Sequence, residues 1–510
     1  MKRFLRQNWK WILGLLAIIL LALGIRIYHL TLLPVFADEA IYIRWAQVMA
    51  NEPTLRFLPL SDGKQPLFMW VLMFIVRKLS NPLFAGRLLS VATGMGTLVG
   101  IFFTSFYVFR SRKVALISSF FWAISPFSVF FDRMALVDSM LTCFGIWTLL
   151  LGLVTAKTLR LDMAMLTGFA LGGASLTKSP AFFFAALLIL NVVFAKKIKD
   201  KVKYFSLLSV TYIIAFVMYN IQKLGPNFHL LYSRSQDYIF PLSKILSNPL
   251  DPIIYNFPSA ISWIWVMGPS VILVFGILGA IFNFKKNWKD VSIFIIWFLA
   301  PLVYESVFAK TFTARYILFL LPSFYVLAGS IFLIGKKRFD ALLILGLVIF
   351  TIQAFMFDYY LLTNPMKAPL PRRERMGYLE EWTSGIGITQ VADFIKTQTK
   401  DLPVGKQVVV GTEGYFGTLP DGLQIYLADV PKVTVIGVGV NITEIPDSLI
   451  ESKEFGNKTY LVINNSRLRA KPDELNLKLI ASYSKGLRHP GTSEYVDNGP
   501  QEVLYLFEVN

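Results

Sequence analysis

Cysteine is almost missing from this chain: among 510 residues there is one, Cys143. It lies inside an apolar run, and a lone cysteine excludes an internal disulfide framework. Histidine is nearly as scarce. His29, His229 and His489 are the three, scattered without the spacing of a metal-ligand set. Charge is thin too: Lys, Arg, Asp and Glu make up 16% of the residues, against about 25% in soluble domains. Lipid must therefore solvate much of the surface. Acidic residues are the scarcer sign, 32 against 50 basic ones, for a net charge of +18. That excess does not point to nucleic acid, because the basic residues form short clusters between apolar runs instead of covering one amphipathic face. A dinucleotide fingerprint is also lacking, since Gly437-Val438-Gly439 has no further glycine at the right spacing and opens no helix. Asn441-Ile442-Thr443 and Asn457-Lys458-Thr459 match a glycosylation acceptor pattern that recurs by chance.

What the chain has in abundance is long apolar runs. Hydrophobic residues make up 55% of it, and the runs recur to about Tyr359 at lengths that suit helices crossing a bilayer, ~20 residues each. The first follows a basic start, like a signal peptide, and is read here as a retained span. Basic clusters at 2–10, 110–113, 157–160, 196–203, 285–289 and 336–338 should face the cytoplasm. Between them fit eleven spans, from 11–28 to 341–359, including one at 258–284 and one at 291–308. The run 66–76 is too short to cross and reads as a re-entrant or interfacial helix. The N-terminus is then cytoplasmic and the C-terminal segment extracytoplasmic, in the cell membrane.

After Tyr360 the runs shorten to strand length, at 407–411, 424–427, 433–436, 460–463 and 503–507, behind a helical pattern at 389–397. The fold class expected is a polytopic α-helical membrane domain, 1–360, followed by an extracytoplasmic α/β domain, 361–510. The Pro- and Arg-rich stretch 364–375 reads as the linker.

On this topology the segments outside hold the notable charges. Asp38-Glu39 follows the first span; a helix N-terminus with a favourable dipole is the plain alternative. Lys64-Gln65-Pro66 ends the same loop, where an interfacial anchor is the alternative. Arg133 and Asp138 frame the next loop and could simply pair with each other. Lys178 occupies a tight turn, Thr177-Lys178-Ser179-Pro180, and a lone charge there is costly unless paired or functional. Arg315-Tyr316 opens another span. All fall on one membrane face. Sugar transfer from a polyprenyl phosphate needs such a set: a carboxylate (Asp38, Glu39 or Asp138) to take the acceptor's proton, and fixed positive charge against the leaving phosphate. Lys64, Arg133, Lys178 and Arg315, with Tyr316, provide the second, and arginine grips phosphate bidentately. The loop 223–257, with His229, Tyr232, Arg234, Tyr238 and Phe240, is long enough to gate the donor or meet the acceptor.

These pieces resemble the GT-C superfamily, and within it bacterial relatives of protein O-mannosyltransferases and of the transferases that place aminoarabinose on lipid A. The matching residues are Asp38-Glu39, Lys64-Gln65-Pro66-Leu67, Arg87-Leu88-Leu89-Ser90, Arg133 to Asp138, Leu176-Thr177-Lys178-Ser179-Pro180, and Arg315-Tyr316 with Pro322, across about residues 1 to 360. The resemblance implies an inverting glycosyltransferase with Asp38 as catalytic base, Glu39 shaping the site, and Lys64, Lys178 and Arg315 on the donor phosphate. Two positions depart from it. Gln65 replaces the usual proline, and Gly63 stands where some lipid A-modifying relatives place a metal-ligand glutamate. No metal or other cofactor is carried over, with a divalent cation left open.

The implied partners are a polyprenyl-phosphate-linked sugar, a hexose such as mannose, an acceptor lipid, glycan or protein, and membrane lipids. A polytopic lipid or sugar flippase or transporter is the alternative, but it would hold charges near the midplane and show repeated halves. A membrane-anchored sensor would leave Asp38 and Lys178 without a task. In the C-terminal domain, Glu381-Trp382-Thr383-Ser384-Gly385 and Gly414-Tyr415-Phe416-Gly417 offer aromatics that can stack on sugars; turns with core aromatics are the alternative. Gly168 and Gly172 read as a close helix-packing face.

Overall fold

The computed structural model describes residues 2–334, 337–400 and 402–510. Lys336, in the last basic cluster, lies outside them, as do the side chains of residues 2–8 and 337–338, which carry most of the first and last clusters. Among the described residues seven helices are long and apolar enough to cross a membrane: Trp9–Ile27, Pro82–Phe109, Val137–Thr158, Ile198–Leu224, Ser270–Phe308, Ala314–Leu333 and Phe339–Thr363. An eighth crossing results if the Arg112–Ile124 and Pro126–Asp132 helices, bent by 59°, count as one. Burial separates core from rim. In the most apolar stretch of Ala314–Leu333 89% of the residues are buried, whereas in that of Phe339–Thr363 17% are, and this helix shows its apolar sides to the surroundings, as a lipid-facing helix must.

One sequence expectation about the spans is corrected here. The span at 258–284 is instead two helices, Asp251–Met267 and the start of Ser270–Phe308. Gly268-Pro269 breaks the run, because proline has no N–H to continue a helix and disfavours helical geometry in the residue before it. The Ser270–Phe308 helix itself leaves helical geometry at Asn287, inside the basic cluster 285–289. The run 66–76 is helical only over Leu67–Leu72, six residues, a rise of about 9 Å.

The chain forms two compact units. One comprises residues 1–30, 54–71 and 87–371; the other comprises 31–53, 72–86 and 372–510.

In the first unit the helices pack closely through small residues. A side chain at Gly168 would meet Thr211 and Ile214, and one at Gly172 would meet Met218, so both glycines seat the Ile198–Asn220 helix as the sequence implied. Buried charge also ties this unit together. Arg26, fully buried, donates to Asp132 at 2.9 Å, to the carbonyls of Trp122 and Ala123, and to the Ser128 hydroxyl. The Ser139 hydroxyl donates to the other Asp132 oxygen at 2.6 Å. Gly94 makes room for that carboxylate, since a Cβ there would lie 2.2 Å from it. Buried ions persist only when hydrogen-bonded this fully.

The second unit is built on a five-stranded sheet of order β2-β1-β3-β5-β4. The strands are β1 (Val408–Glu413), β2 (Val433–Gly439), β3 (Lys458–Asn464), β4 (Leu477–Leu487) and β5 (Gln501–Val509). β1 runs parallel to β2 and β3, while β5 is antiparallel to β3 and β4. Val409, Leu461, Ile463, Phe507 and Val509 share a core with Leu449 of the Asp447–Glu454 helix. The expected helix at 389–397 is present as Ile388–Gln398. Residues 424–427, expected as a strand, belong instead to the Asp421–Leu427 helix; four apolar residues cannot distinguish the two forms. Strand β4 was not anticipated, because bulges between Leu479 and Ala481 and between Ser484 and Leu487 break its alternation.

The Ala37–Asn51 helix belongs to this second unit. Arg44 donates to Gln424 at 3.1 Å and Gln47 to the Ile425 carbonyl at 3.0 Å, so it lies along the Asp421–Leu427 helix. At the start of that helix Asp421 accepts from the Gly417 N–H at 2.6 Å. Burial pushes its carboxyl up from 3.8 to about 6, against the Gly417 hydrogen bond and the charge of Arg44. A folded-state pKa above the unfolded one gives stability that is full below about 4 and lost as pH rises through about 6. Asp421→Asn should flatten that part of the stability profile, and melting curves between pH 4 and 7 would show it. An unchanged slope would discount Asp421.

Candidate functional site

The Lys178 turn gathers several of the residues singled out from sequence. The Leu161–Thr177 helix ends there because Pro180 cannot continue it. The next helix, Ala181–Leu188, is anchored by Phe183 against Tyr304 and by Phe184 stacked on Trp297. Lys178 is thereby held with its ammonium 2.6 Å from Asp138 and 4.4 Å above the ring of Tyr316. Arg315 lies over the same ring at 5.3 Å. Asp138, buried, is in the first turn of the Val137–Thr158 helix, where the helix dipole favours a carboxylate. The Lys178 side chain keeps 23% of its surface accessible, so one charge is fixed yet reachable.

The Lys64 loop joins this cluster through the residue that departs from the family pattern. Gln65 donates to the Ser179 hydroxyl at 3.0 Å, a bond that the usual proline has no side chain to make. Lys64 pairs with Asp62 at 3.2 Å, and Arg234 reaches the same carboxylate at 2.7 Å. Gly63 takes φ +70, the left-handed region in which glycine is at ease, and a Cβ there would crowd the Leu230 carbonyl and Ser233. The loop 223–257 is thus folded onto the Lys64 loop. It contains short helical turns and a bridge from Ile239 to Ala309. Tyr232 shares a hydroxyl–hydroxyl bond of 2.9 Å with Tyr219, Arg234 lies over Tyr238, Phe240 bonds through its N–H to Phe308, and His229 is exposed.

Arg133 and Asp138 do not pair with each other. Arg133, nearly buried, donates to the carbonyls of Ile25, Arg26, Tyr28 and His29 at 2.7 to 2.9 Å. It closes the C-terminal end of the first helix, whose last carbonyls have no partner within the helix.

Asp38 and Glu39, in the second unit, occupy the first turn of Ala37–Asn51. Glu39 is fully buried and accepts from the Phe36 N–H at 3.0 Å, which is the glutamate half of a capping box. Asp38 is half-buried, so of the pair it is the one a reactant can meet. In the same unit Trp382, Tyr415 and Phe416 are exposed surface aromatics, and Arg467 lies 4.9 Å from the Trp382 ring.

Sequence reading overlooked Glu305. Tyr304, its neighbour, packs on Phe182 and Phe183 just beyond the turn, and Glu305 lies within electrostatic reach of Lys178. A lone carboxylate inside the apolar run 291–308 was the available signal. Among the described residues no three His, Cys, Asp or Glu side chains are grouped to hold a metal ion.

Solved structures of similar fold bear on this arrangement. ArnT from Cupriavidus metallidurans bound to undecaprenyl phosphate aligns with a TM-score of 0.60 at 14% identity, over 97% of this chain and 98% of that one. Its apo form gives 0.61 at 14% identity, over 98% of each chain. The archaeal oligosaccharyltransferase AglB from Archaeoglobus fulgidus, in complex with an inhibitory peptide and a dolichol phosphate, gives 0.51 at 12%, over 91% and 70%. The chain is a multi-pass membrane protein with the fold of the GT-C glycosyltransferases. Within that fold it resembles the branch of ArnT and the protein mannosyltransferases, and a family model described as dolichyl-phosphate-mannose-protein mannosyltransferase matches residues 63–219. No curated protein sequence matches it significantly.

Proposed function

We propose that this protein is an inverting glycosyltransferase that moves a hexose such as mannose from a polyprenyl-phosphate donor to an acceptor hydroxyl outside the cell membrane. The observation that carries the reading is the partly accessible Lys178, held by Asp138 and Tyr316 beside Arg315. The undecaprenyl phosphate bound by ArnT, a protein of the same fold, supports a lipid phosphate as its ligand. In the reaction Asp38 takes the acceptor's proton as its oxygen attacks the anomeric carbon. The bond from that carbon to the phosphate oxygen breaks, and the polyprenyl phosphate leaves with the electron pair. Lys178, Arg315 and Lys64 meet the charge that develops on it. Asp138 orients Lys178 and Arg133 braces the first helix, while loop 223–257 gates the donor. The N-terminus is cytoplasmic and the α/β domain extracytoplasmic.

Sugar transfer from labelled polyprenyl-phosphate hexoses in membranes tests this. Wild type should transfer, and Lys178→Gln should lose about 10- to 100-fold in donor use, the worth of a charge-assisted contact. Absence of transfer by wild type across several hexose donors, with labelled lipid crossing the bilayer, would replace the transferase with a flippase.

A further inference from the structure

We propose that Lys485 and Arg488, at the end of β4, are positioning residues for Asp38. The inference rests on Asp38 as the base and concerns how the second unit aims it.

Both cations are almost wholly buried, at 2% and 3% exposed. Lys485 donates to the main-chain carbonyls of Glu381 at 3.2 Å and Ser384 at 2.8 Å. Arg488 grips the Glu381 carboxylate with two bonds, 2.7 and 2.9 Å, and also reaches Glu502. The turn 381–384 is therefore held by its backbone and its side chain at once. That turn in turn holds the segment from which Asp38 projects. The Thr383 carbonyl accepts from the Ala37 N–H at 3.1 Å, Gly385 N–H donates to Val35 at 2.8 Å, and Phe36 pairs with Ser384 as an antiparallel bridge. The Phe36 ring packs on Tyr378 at 4.4 Å. Phe36 then donates to Glu39, which completes the first helical turn with Asp38 inside it.

A buried lysine and arginine are an expensive way to stabilise a single turn, since the desolvation of each costs several kcal/mol. Two rigid donors fixed on one turn are suited to placement, where displacement of a reacting group by 1 Å costs up to about 10²-fold in rate. Burial pulls Lys485 below the ordinary ammonium range, opposed by Glu502, Glu413 and Glu381.

Steady-state transfer by the full-length protein in membranes tests the inference with two variants of different chemistry. Lys485→Met removes the grip on the turn. Ala37→Pro removes the N–H that reaches Thr383 and adds a ring at a buried position; proline is favoured at the first helical position, and Phe36 already has the extended geometry (φ −95, ψ 153) that precedes a proline. Each should lower kcat at least fivefold with the donor KM within twofold of wild type. Neither should lower the residual rate of Asp38→Asn further when combined with it. A kcat within twofold of wild type, or losses that multiply with Asp38→Asn, would overturn the inference. If Lys485→Met does not fold, Ala37→Pro decides alone. Full turnover by Asp38→Asn would instead remove the base itself, whereas an inactive Asp38→Asn beside active Lys485→Met and Ala37→Pro sinks only the positioning role.

Discussion

Replacing Asp38 with asparagine should lower sugar transfer at least ~10²-fold while donor binding survives, since the amide keeps the shape and cannot accept a proton. The local structure makes this a clean test. Asp38 is half-buried at the start of the Ala37–Asn51 helix, and its neighbour Glu39 is committed to the Phe36 N–H. Glu39 therefore cannot stand in as the base without opening the helix start. Loss of a first-turn carboxylate weakens a helix by about 0.3 to 1 kcal/mol, far too little to unfold the unit. Transfer from a labelled polyprenyl-phosphate hexose, paired with donor binding to the same preparation, reads both quantities. Equal turnover in the two proteins would take Asp38 out of the chemistry.

Asp132→Ala should have the largest effect on stability. Arg26 and Asp132 are both fully buried, and the truncation leaves a guanidinium inside the helical unit without the carboxylate it bonds to, Asp358 being an acid within electrostatic reach of it. Breaking a buried pair on one side costs about 3–5 kcal/mol, a large part of the ~5–15 kcal/mol that holds a domain folded. The double variant Arg26→Met with Asp132→Leu removes both charges and should recover most of the loss. Melting of the purified proteins in detergent orders the three, and a single variant that melts with wild type would show that the pair carries little. Asp138 is the useful contrast, because its partner Lys178 keeps access to solvent and its loss should register in transfer before stability.

Much of this was legible in the sequence for a simple reason: in an apolar chain a charge in a short loop stands out. Lys178 and Arg315 were picked from separate segments and are found over one tyrosine ring, with Asp138 paired to Lys178. The sequence could not show which charges are consumed by architecture. Arg133 resembles a phosphate ligand until its four carbonyl partners are known. Arg26 and Glu305 lie within apolar helices, where a reading based on runs averages a lone charge away. Strand β4 escaped because bulges disrupt period-two alternation. The bonds from Ala37 to Thr383 and from Val35 to Gly385 join segments so distant in sequence that no local pattern links them.

That distance bears on the protein's biosynthesis. The segment with Asp38 leaves the ribosome roughly 350 residues ahead of the turn that fixes it, a wait of about 20 to 70 s at 5–20 residues per second. Through that interval the helical spans can insert, but the Asp38 segment has no permanent seat. On the positioning proposed above, catalytic competence would arrive only once β4 has been made and its cations hold the turn 381–384, so a chain still short of β4 is threaded through the bilayer without being able to act on the lipid around it.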